Sequence, residues 1–138
     1  MSKIMAIDIG EKRIGVALSD GLHMFAHPFK TIAWKGIEAL TGELNRIISD
    51  EDVTLLIIGI PYTMQGGHSQ RTEQVLQLSE ELKQRIDVPI KMADERLTTV
   101  MAEKALHRVG KKPSKHRQMI DQIAAVYILQ NYLDMNKD

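Results

Sequence analysis

The segment that most constrains the fold covers residues 53–60, whose sequence VTLLIIGI is apolar almost without interruption. A strand exposed on one face alternates apolar and polar residues, whereas a strand covered on both faces does not. The segment is also shorter than a typical helix. It therefore predicts a central strand in a sheet whose two faces are both covered, as in α/β domains.

Two further segments predict an antiparallel pair of strands. Residues 3–9 (KIMAIDI) and 12–19 (KRIGVALS) are β-type runs separated by only two residues, a spacing that suits a tight hairpin. Residues 24–34 form a third, weaker extended run. Pro28 within it favours an edge position or a break, because proline donates no hydrogen bond to a neighbouring strand.

Apolar residues at helical spacing predict the covering helices. These helices are expected over about 36–50, 68–86, 98–109 and 114–135, and a short final strand is expected over 88–92. Thr98 or Thr99 suits the N-cap of the third helix. The resulting order β, β, β, α, β, α, β, α, α predicts a mixed sheet with helices on its faces.

Length and composition predict one globular domain that spans residues 1–138. Hydrophobic residues make up 43% of the chain and charged residues 26%, which is typical of a domain with a substantial core. No segment has the apolar length needed to span a bilayer, and no secretory signal is recognisable. The absence of cysteine excludes disulfides and thiolate metal sites. We therefore expect no membrane contact and a cytoplasmic location.

Charge is unevenly distributed along the chain. The net charge is zero, which excludes a uniformly basic surface for nucleic acid. The segment 108–117 (RVGKKPSKHR), named here the basic loop, nevertheless contains no acid. Its cationic residues are Arg108, Lys111, Lys112, Lys115 and Arg117. Such a run is either a solvated surface or, in a nuclease, a contact to the phosphate backbone.

Acidic residues occupy positions where they can meet. Asp8 lies inside the apolar first strand, where an ionised carboxylate is costly without a compensating charge or hydrogen-bond donors. Asp94 and Glu95 are expected directly after the last strand, where open α/β sheets place ligand-binding groups. Asp121 shares a stripe of the last helix with apolar residues and is expected near an apolar face.

Carboxylates that converge from two strands and a helix repel one another unless a cation lies among them. Mg²⁺ or Mn²⁺ suits such oxygen ligands, and a pair of these ions hydrolyses phosphate esters by activating a water and stabilising the leaving oxygen. Taken singly, each acid also has a structural explanation: Asp8 can begin a turn, Asp94 can cap a helix, and Asp121 can offset a helix dipole. The expected convergence, rather than any single acid, favours a metal site.

Glycine-containing segments leave alternatives open. The hairpin over residues 8–17 can wrap a phosphate through backbone N–H groups, as in sugar kinases and actin-like ATPases, but those proteins need a second hairpin and another domain. The loop over residues 59–67 is either a simple turn or a substrate contact at the end of the central strand. The histidines show no metal-ligand spacing, and Trp34 is expected to pack.

Four motifs together resemble the YqgF (RuvX) family, the Holliday-junction-resolvase-like proteins and pre-16S rRNA nucleases of bacteria. The motifs are DIGEKRIGVALSD at 8–20, GIPYTMQGG at 59–67, DERLTT at 94–99 and DQIAAVYILQNYL at 121–133. They span nearly the whole chain, and their combination is specific. The chain departs from the family pattern around Met64, because Thr63 and Gln65 replace the residues usual there, Asn or a similar polar residue before it and an acid or Asn after it.

The resemblance implies an RNase H-like α/β fold, with a five-stranded mixed sheet in the order 3-2-1-4-5 flanked by helices. It also implies a site for a divalent metal, Mg²⁺ or Mn²⁺. The positions that match the family's metal-binding and catalytic acids are Asp8, Glu95 and Asp121. Asp94 is expected to support the site, and Lys12 and Arg96 match positions suited to anchoring the site or a phosphate.

The activity that the resemblance implies is a metal-dependent endonuclease that trims the 5′ end of precursor 16S rRNA, with structured RNA and the pre-ribosomal particle as partners. One alternative is a resolvase of DNA junctions, which needs two sites and hence a homodimer rather than a monomer. Others are a non-catalytic RNA-binding or transcription-associated module and an ATP-binding phosphotransferase. In a nuclease, the basic loop is expected to contact nucleic acid.

Overall fold

The structure, a computed structural model, describes residues 2–96 and 113–136, and residues 113–121 by their backbone alone. The elements are β1 (Lys3–Ile9), β2 (Arg13–Ser19), β3 (Ala26–Ala33), α1 (Ile37–Asp50), β4 (Val53–Ile60), α2 (Gln70–Arg85), β5 (Ile90–Asp94) and α3 (Pro113–Met135). The helix predicted over 98–109 lies outside the described residues. None of the described helices combines the length and hydropathy that crossing a membrane requires.

The strands described here form one mixed sheet in the order β3-β2-β1-β4-β5, as expected. β1 and β3 both pair antiparallel with β2, whereas β4 pairs parallel with β1 and β5. β3 is an edge strand, and its register shifts so that Val16 faces Lys30 while Ala17 faces Pro28. Of the two alternatives predicted from Pro28, the edge position is confirmed. The strand is not broken, because a bulge accommodates a residue that lacks an N–H donor.

Helices cover both faces of the sheet. On one face, α1 and α2 pack through side chains such as Leu44 and Val75 against Ile7 and its neighbours. On the other face, α3 packs through residues such as Ile128 against the side chains that alternate with these, including Ala6. The central strand β4 contributes side chains to the hydrophobic core on each face. This confirms the prediction, made from its uninterrupted apolar sequence, that the strand is covered on both faces.

Two element boundaries differ from the sequence-based expectation in ways that affect the site. The last strand extends to Asp94 instead of ending at Met92. Of the two acids expected after this strand, Asp94 is therefore its final residue, and Glu95 is the first residue beyond it. The apolar residues of this short edge strand do not mark its end, because pairing with β4 continues as far as Ile60 opposite Asp94. α2 begins at Gln70, where Ser69 accepts a hydrogen bond from the backbone N–H of Thr72 in a capping box.

Candidate active site

Asp8 lies between two glycines near the carboxyl end of β1. It pairs with Gly15 of the antiparallel neighbour β2 and with Gly59 of the parallel neighbour β4. Its exposed fraction is only 9%. Because side chains alternate along a strand, Asp8 shares the α3 side of the sheet with Ala6. A carboxylate is thus enclosed in the middle of the sheet, where glycine neighbours leave it space.

Gly59 is required by the close approach of two other side chains. A Cβ atom at this position would lie 2.5 Å from Oε2 of Glu95 and would also overlap Cδ1 of Ile128. No real Cβ contact is that short, so Glu95 could not keep its position beside a larger residue. The glycine within VTLLIIGI therefore admits the second carboxylate to the site.

Glu95 completes a buried pair with Asp8. Its backbone N–H donates to the carbonyl oxygen of Ile60 at 3.2 Å, which holds the chain beside the end of β4. The side chain is 8% exposed and is hydrogen-bonded to Asp8. Two acids that are 87 residues apart in sequence are thereby joined by the parallel pairing of β1, β4 and β5.

Burial makes the pair hold a proton at neutral pH. Burial, followed by the charge of Asp8 and the hydrogen bond to it, raises the pKa of Glu95 to about 10. Burial also raises the pKa of Asp8, although the hydrogen bond from Glu95 and the charge of Arg71 act in the opposite direction. A protonated Glu95 therefore donates to Asp8, because two ionised carboxylates in contact would repel strongly.

The donor set of this pair fits a divalent cation. Both groups are carboxylates, the ligands that hard cations such as Mg²⁺ and Mn²⁺ prefer, and a cation would replace the shared proton. Among the side chains that the structure describes, no third potential ligand joins them. The backbone of Asp121 lies in α3, four residues before the buried Ala125, and its side chain lies outside the described residues. Its role as the third ligand stays a prediction.

Arg71 is a cationic neighbour of the two acids, and no sequence motif identified it. It lies in the first turn of α2, and its Nη2 donates to the carbonyl oxygen of Ile9 at 2.8 Å. Its charge lowers the pKa of both Asp8 and Glu95. A cation in the first turn of a helix opposes the helix dipole, and this unfavourable placement was the available signal of another role. Arg71 partly compensates the buried charge of the two acids.

Asp94 and Arg96 form a second, more exposed arrangement beside the pair. Nη2 and Nε of Arg96 lie 2.6 and 2.8 Å from Oδ2 of Asp94, and these contacts lower the pKa of Asp94 and raise that of Arg96. Nη1 of Arg96 also donates to the carbonyl oxygen of Met64 at 3.3 Å. Asp94 thus orients an arginine that ties the loop after β4 to the end of β5.

Thr63 closes this loop at the point where the chain departs from the family pattern. Its backbone N–H donates to the carbonyl oxygen of Gly67 at 2.9 Å, and its hydroxyl accepts from the N–H of Gly67 at 2.8 Å. Gly66 has a φ of +88°, which favours glycine. A threonine hydroxyl can make the same local bond as an asparagine side chain, so the turn accommodates this departure.

The remaining predicted site residues are only partly described. Lys12 is exposed in the hairpin between β1 and β2, where its carbonyl oxygen accepts from the N–H of Trp34 at 2.9 Å. The other residues belong to the basic loop. Arg108, Lys111 and Lys112 lie outside the described residues, and Lys115 and Arg117 lie in α3 with only their backbone described. Contact of these residues with nucleic acid stays a prediction.

Relatives of similar length align with nearly the whole of this sequence. A protein of Chloroflexus aurantiacus named "Putative pre-16S rRNA nuclease" is 40% identical over 134 residues, which cover 97% of this chain and 88% of that protein. A protein of the same name from Roseiflexus sp. is 42% identical over 135 residues, which cover 98% and 96%. Sequence similarity therefore extends over the whole described sheet and both parts of the site.

Solved structures show the same fold at much lower identity. RuvC of T. thermophilus, in complex with a Holliday junction substrate, matches with a TM-score of 0.57 at 12% identity and covers 99% of this chain and 97% of its own. The strand order and this match identify an RNase H-like fold. Residues 2–135 match the model of the family RuvX, described as Holliday junction resolvase. The chain belongs to the RuvX family.

Proposed function

We propose that this chain is a metal-dependent endonuclease that hydrolyses phosphodiester bonds at the 5′ end of precursor 16S rRNA. The observation that carries the proposal is the buried pair of Asp8 and Glu95, whose contact is unfavourable when both are ionised. Membership of the RuvX family and the nuclease names of its relatives support the same reaction class. Cytoplasmic pre-ribosomal particles are the corresponding proposed partner and location.

Asp8 and Glu95 would hold a divalent cation, Mg²⁺ or Mn²⁺, with Asp121 as the proposed third ligand. When bound, such a cation activates a water and stabilises the leaving oxygen of the phosphodiester. Glu95 would hold the cation as a carboxylate, so the proton that it holds in the metal-free protein would be released on binding. Arg71 stays beside both acids and limits their mutual repulsion.

The elements around the pair have separate proposed tasks. Asp94 and Arg96 hold the loop containing Met64 at the edge of the site. The basic loop would contact the phosphate backbone, so that binding weakens as the salt concentration rises. Such contacts position a substrate without reading its sequence.

Cleavage of DNA junctions is the second candidate function. It is favoured by the description of the family and by the fold shared with a RuvC bound to a junction. The chemistry at Asp8 and Glu95 would be unchanged, but two sites must act on one junction, which requires a homodimer. A protein that is monomeric and inactive on junctions would exclude this candidate.

A side-by-side cleavage assay tests both functions. Precursor 16S rRNA and a four-way DNA junction are incubated with Mg²⁺ or Mn²⁺ and the wild-type protein, Asp8→Asn or Glu95→Gln. Glu80→Gln is the matched control, because Glu80 is a solvent-exposed acid that pairs with Lys83 on α2. We expect cleavage of the rRNA by the wild type and the control, and its loss in both site variants and in EDTA.

The outcomes separate the candidate classes. Cleavage of the junction alone would favour the resolvase. If Asp8→Asn cleaves as fast as the wild type, cleavage does not depend on the carboxylate pair and the proposal is wrong. If the wild type binds RNA but cleaves neither substrate, the chain is a non-catalytic module and the proposal is also wrong.

A further inference from the structure

A cleft of about 490 Å³ opens beside the carboxyl end of β1. Ile9 and Gly10, which directly follow Asp8, form part of its lining. Trp34 lines one part, and the first turns of α2 line another. The cleft therefore begins within two residues of the carboxylate pair but lies on the side of the sheet that α2 covers.

Trp34 presents an accessible ring in this cleft. The sequence-based expectation that it packs in the core is therefore wrong. Its exposed fraction is 37%. Its backbone N–H donates to the carbonyl oxygen of Lys12, which fixes the end of β3 against the hairpin. A tryptophan that is fixed by its backbone and exposed at its ring is a platform on which another planar ring can stack.

Amide side chains on α2 face the same cleft. Gln70, Gln74 and Gln77 lie among its lining residues, and an amide offers both donors and an acceptor. Nη1 of Arg71 donates to Oε1 of Gln74 at 3.1 Å, which fixes the orientation of this amide. These groups suit a ligand whose edge carries donors and acceptors, such as a nucleobase.

The charges in the cleft argue against a bound phosphate. Glu11 and Glu73 line it together with Arg71. Glu73 is paired with His68, whose Nδ1 lies 2.6 Å from its Oε1, and Arg71 is already bonded to the carbonyl oxygen of Ile9. A phosphate would meet two carboxylates here, whereas an uncharged aromatic base would not be repelled.

We propose that this cleft binds one unstacked nucleobase of the nucleic-acid substrate, with Trp34 stacking on its face and the glutamines of α2 contacting its edge. The inference rests on the proposed function, because it takes a nucleic acid as the substrate. The nucleic-acid strand then passes the carboxyl end of β1, and a neighbouring nucleotide reaches Asp8 on the α3 side of the sheet. The enzyme accordingly requires an unpaired residue beside the scissile bond and acts poorly on continuous duplex.

The intrinsic fluorescence of Trp34 gives a direct test, since it is the only tryptophan of the chain. A short single-stranded oligoribonucleotide is titrated into the wild-type protein in EDTA, so that no cleavage occurs, while fluorescence polarisation of a labelled strand reports total binding. We expect saturable quenching by the strand with bases and none by an abasic strand of equal length. Binding without quenching, or equal quenching by the abasic strand, would refute the inference.

Variants separate stacking from packing. Trp34→Ala should weaken binding of the base-containing strand roughly 10-fold or more, and Trp34→Phe should retain most of it. Phe25→Ala is the control, because Phe25 is 58% exposed and lies by the turn between β2 and β3, at the opposite end of the sheet from the cleft. Equal affinities of Trp34→Ala and wild type would contradict the inference, and fluorescence of the unmodified protein decides the matter if Trp34→Ala does not fold.

Cleavage assays keep this inference distinct from the proposed function. Quenching without cleavage of any substrate would support base binding in the cleft and refute the proposed nuclease activity. Cleavage without quenching would support the nuclease activity and refute base binding in the cleft. Where both hold, a cleavage substrate in which the scissile bond lies in continuous duplex should react at least 10-fold more slowly than one with an adjacent unpaired residue.

Discussion

Replacing Glu95 by glutamine should stabilise the metal-free protein at neutral pH. Glutamine has nearly the same shape and can still donate a hydrogen bond to Asp8, but it has no proton to lose. Wild-type Glu95 is buried, and its pKa is raised to about 10 from an ordinary value of 4.5. The folded protein therefore holds a proton that the unfolded chain releases.

The sign and size follow from proton linkage. Because the folded pKa is raised, stability is fully present below about pH 4.5 and decreases by up to about 1.4 kcal/mol per pH unit until the pH reaches the folded value. At pH 7, titration of Glu95 alone has then lowered the free energy of unfolding of the wild type by up to about 3 kcal/mol relative to pH 4.5. Glu95→Gln avoids that loss, so its Tm at pH 7 should exceed that of the wild type by up to roughly 10 °C.

Urea unfolding and thermal melts in EDTA between pH 4 and 9 measure the difference between the two proteins. Comparison with Glu95→Gln at each pH cancels the titration of the acids that do not contact Glu95. Glu80→Gln, which removes an exposed acid, should follow the wild type. The gap should vanish near pH 4 and widen toward pH 8. A variant that is less stable than the wild type at pH 7, or a gap independent of pH, would refute the reasoning.

Three further substitutions test separate parts of the site. Gly59→Ala should abolish cleavage while the chain remains folded by circular dichroism, because a Cβ would displace Glu95. Gly42→Ala, in α1 with open space around it, is the control. An active Gly59→Ala protein would contradict the assignment of Glu95 to the site. Arg71→Gln should shift the acidic limb of the pH–rate profile to higher pH, since its charge lowers the pKa of both acids, and an unchanged profile would exclude this role. Arg96→Ala should change the free energy of unfolding by less than about 1 kcal/mol, because its ion pair is exposed. It should nevertheless speed hydrogen exchange over residues 61–69, because the hydrogen bond to Met64 is lost. Unaltered exchange would mean that this bond does not hold the loop.

The layer arrangement of the fold could be predicted from residue pattern. An uninterrupted apolar strand at residues 53–60 must be covered on both faces, and the proline in β3 is confined to an edge. The order of the strands came from family resemblance, because residue pattern alone does not choose among mixed sheets. The end of β5 was placed two residues too early, since a short edge strand carries little periodicity.

The contacts of the site could be predicted only in part. Asp8 stood out because an acid inside a buried strand needs an explanation. Asp94 and Glu95 stood out together by their position after the last strand, and only the family resemblance selected Glu95. Arg71, whose charge lowers the pKa of both acids, is 62 residues from Ile9, to which it is hydrogen-bonded. No local pattern links the two positions. The requirement for Gly59 depends on where Glu95 and Ile128 meet, which is known only once the sheet and α3 are assembled.

The site is costly to the metal-free fold, and its surroundings reduce this cost without removing it. Gly15 and Gly59 leave space for the acids but supply no counter-charge. Arg71 supplies one positive charge, yet burial still raises the pKa of both Asp8 and Glu95. A fold selected for stability alone would place apolar residues at these positions, because a buried charged group is rarely better than a well-packed hydrophobic one. The retained pair is therefore best explained by a ligand that offsets its repulsion, and a divalent cation does so with the oxygen donors that both acids provide.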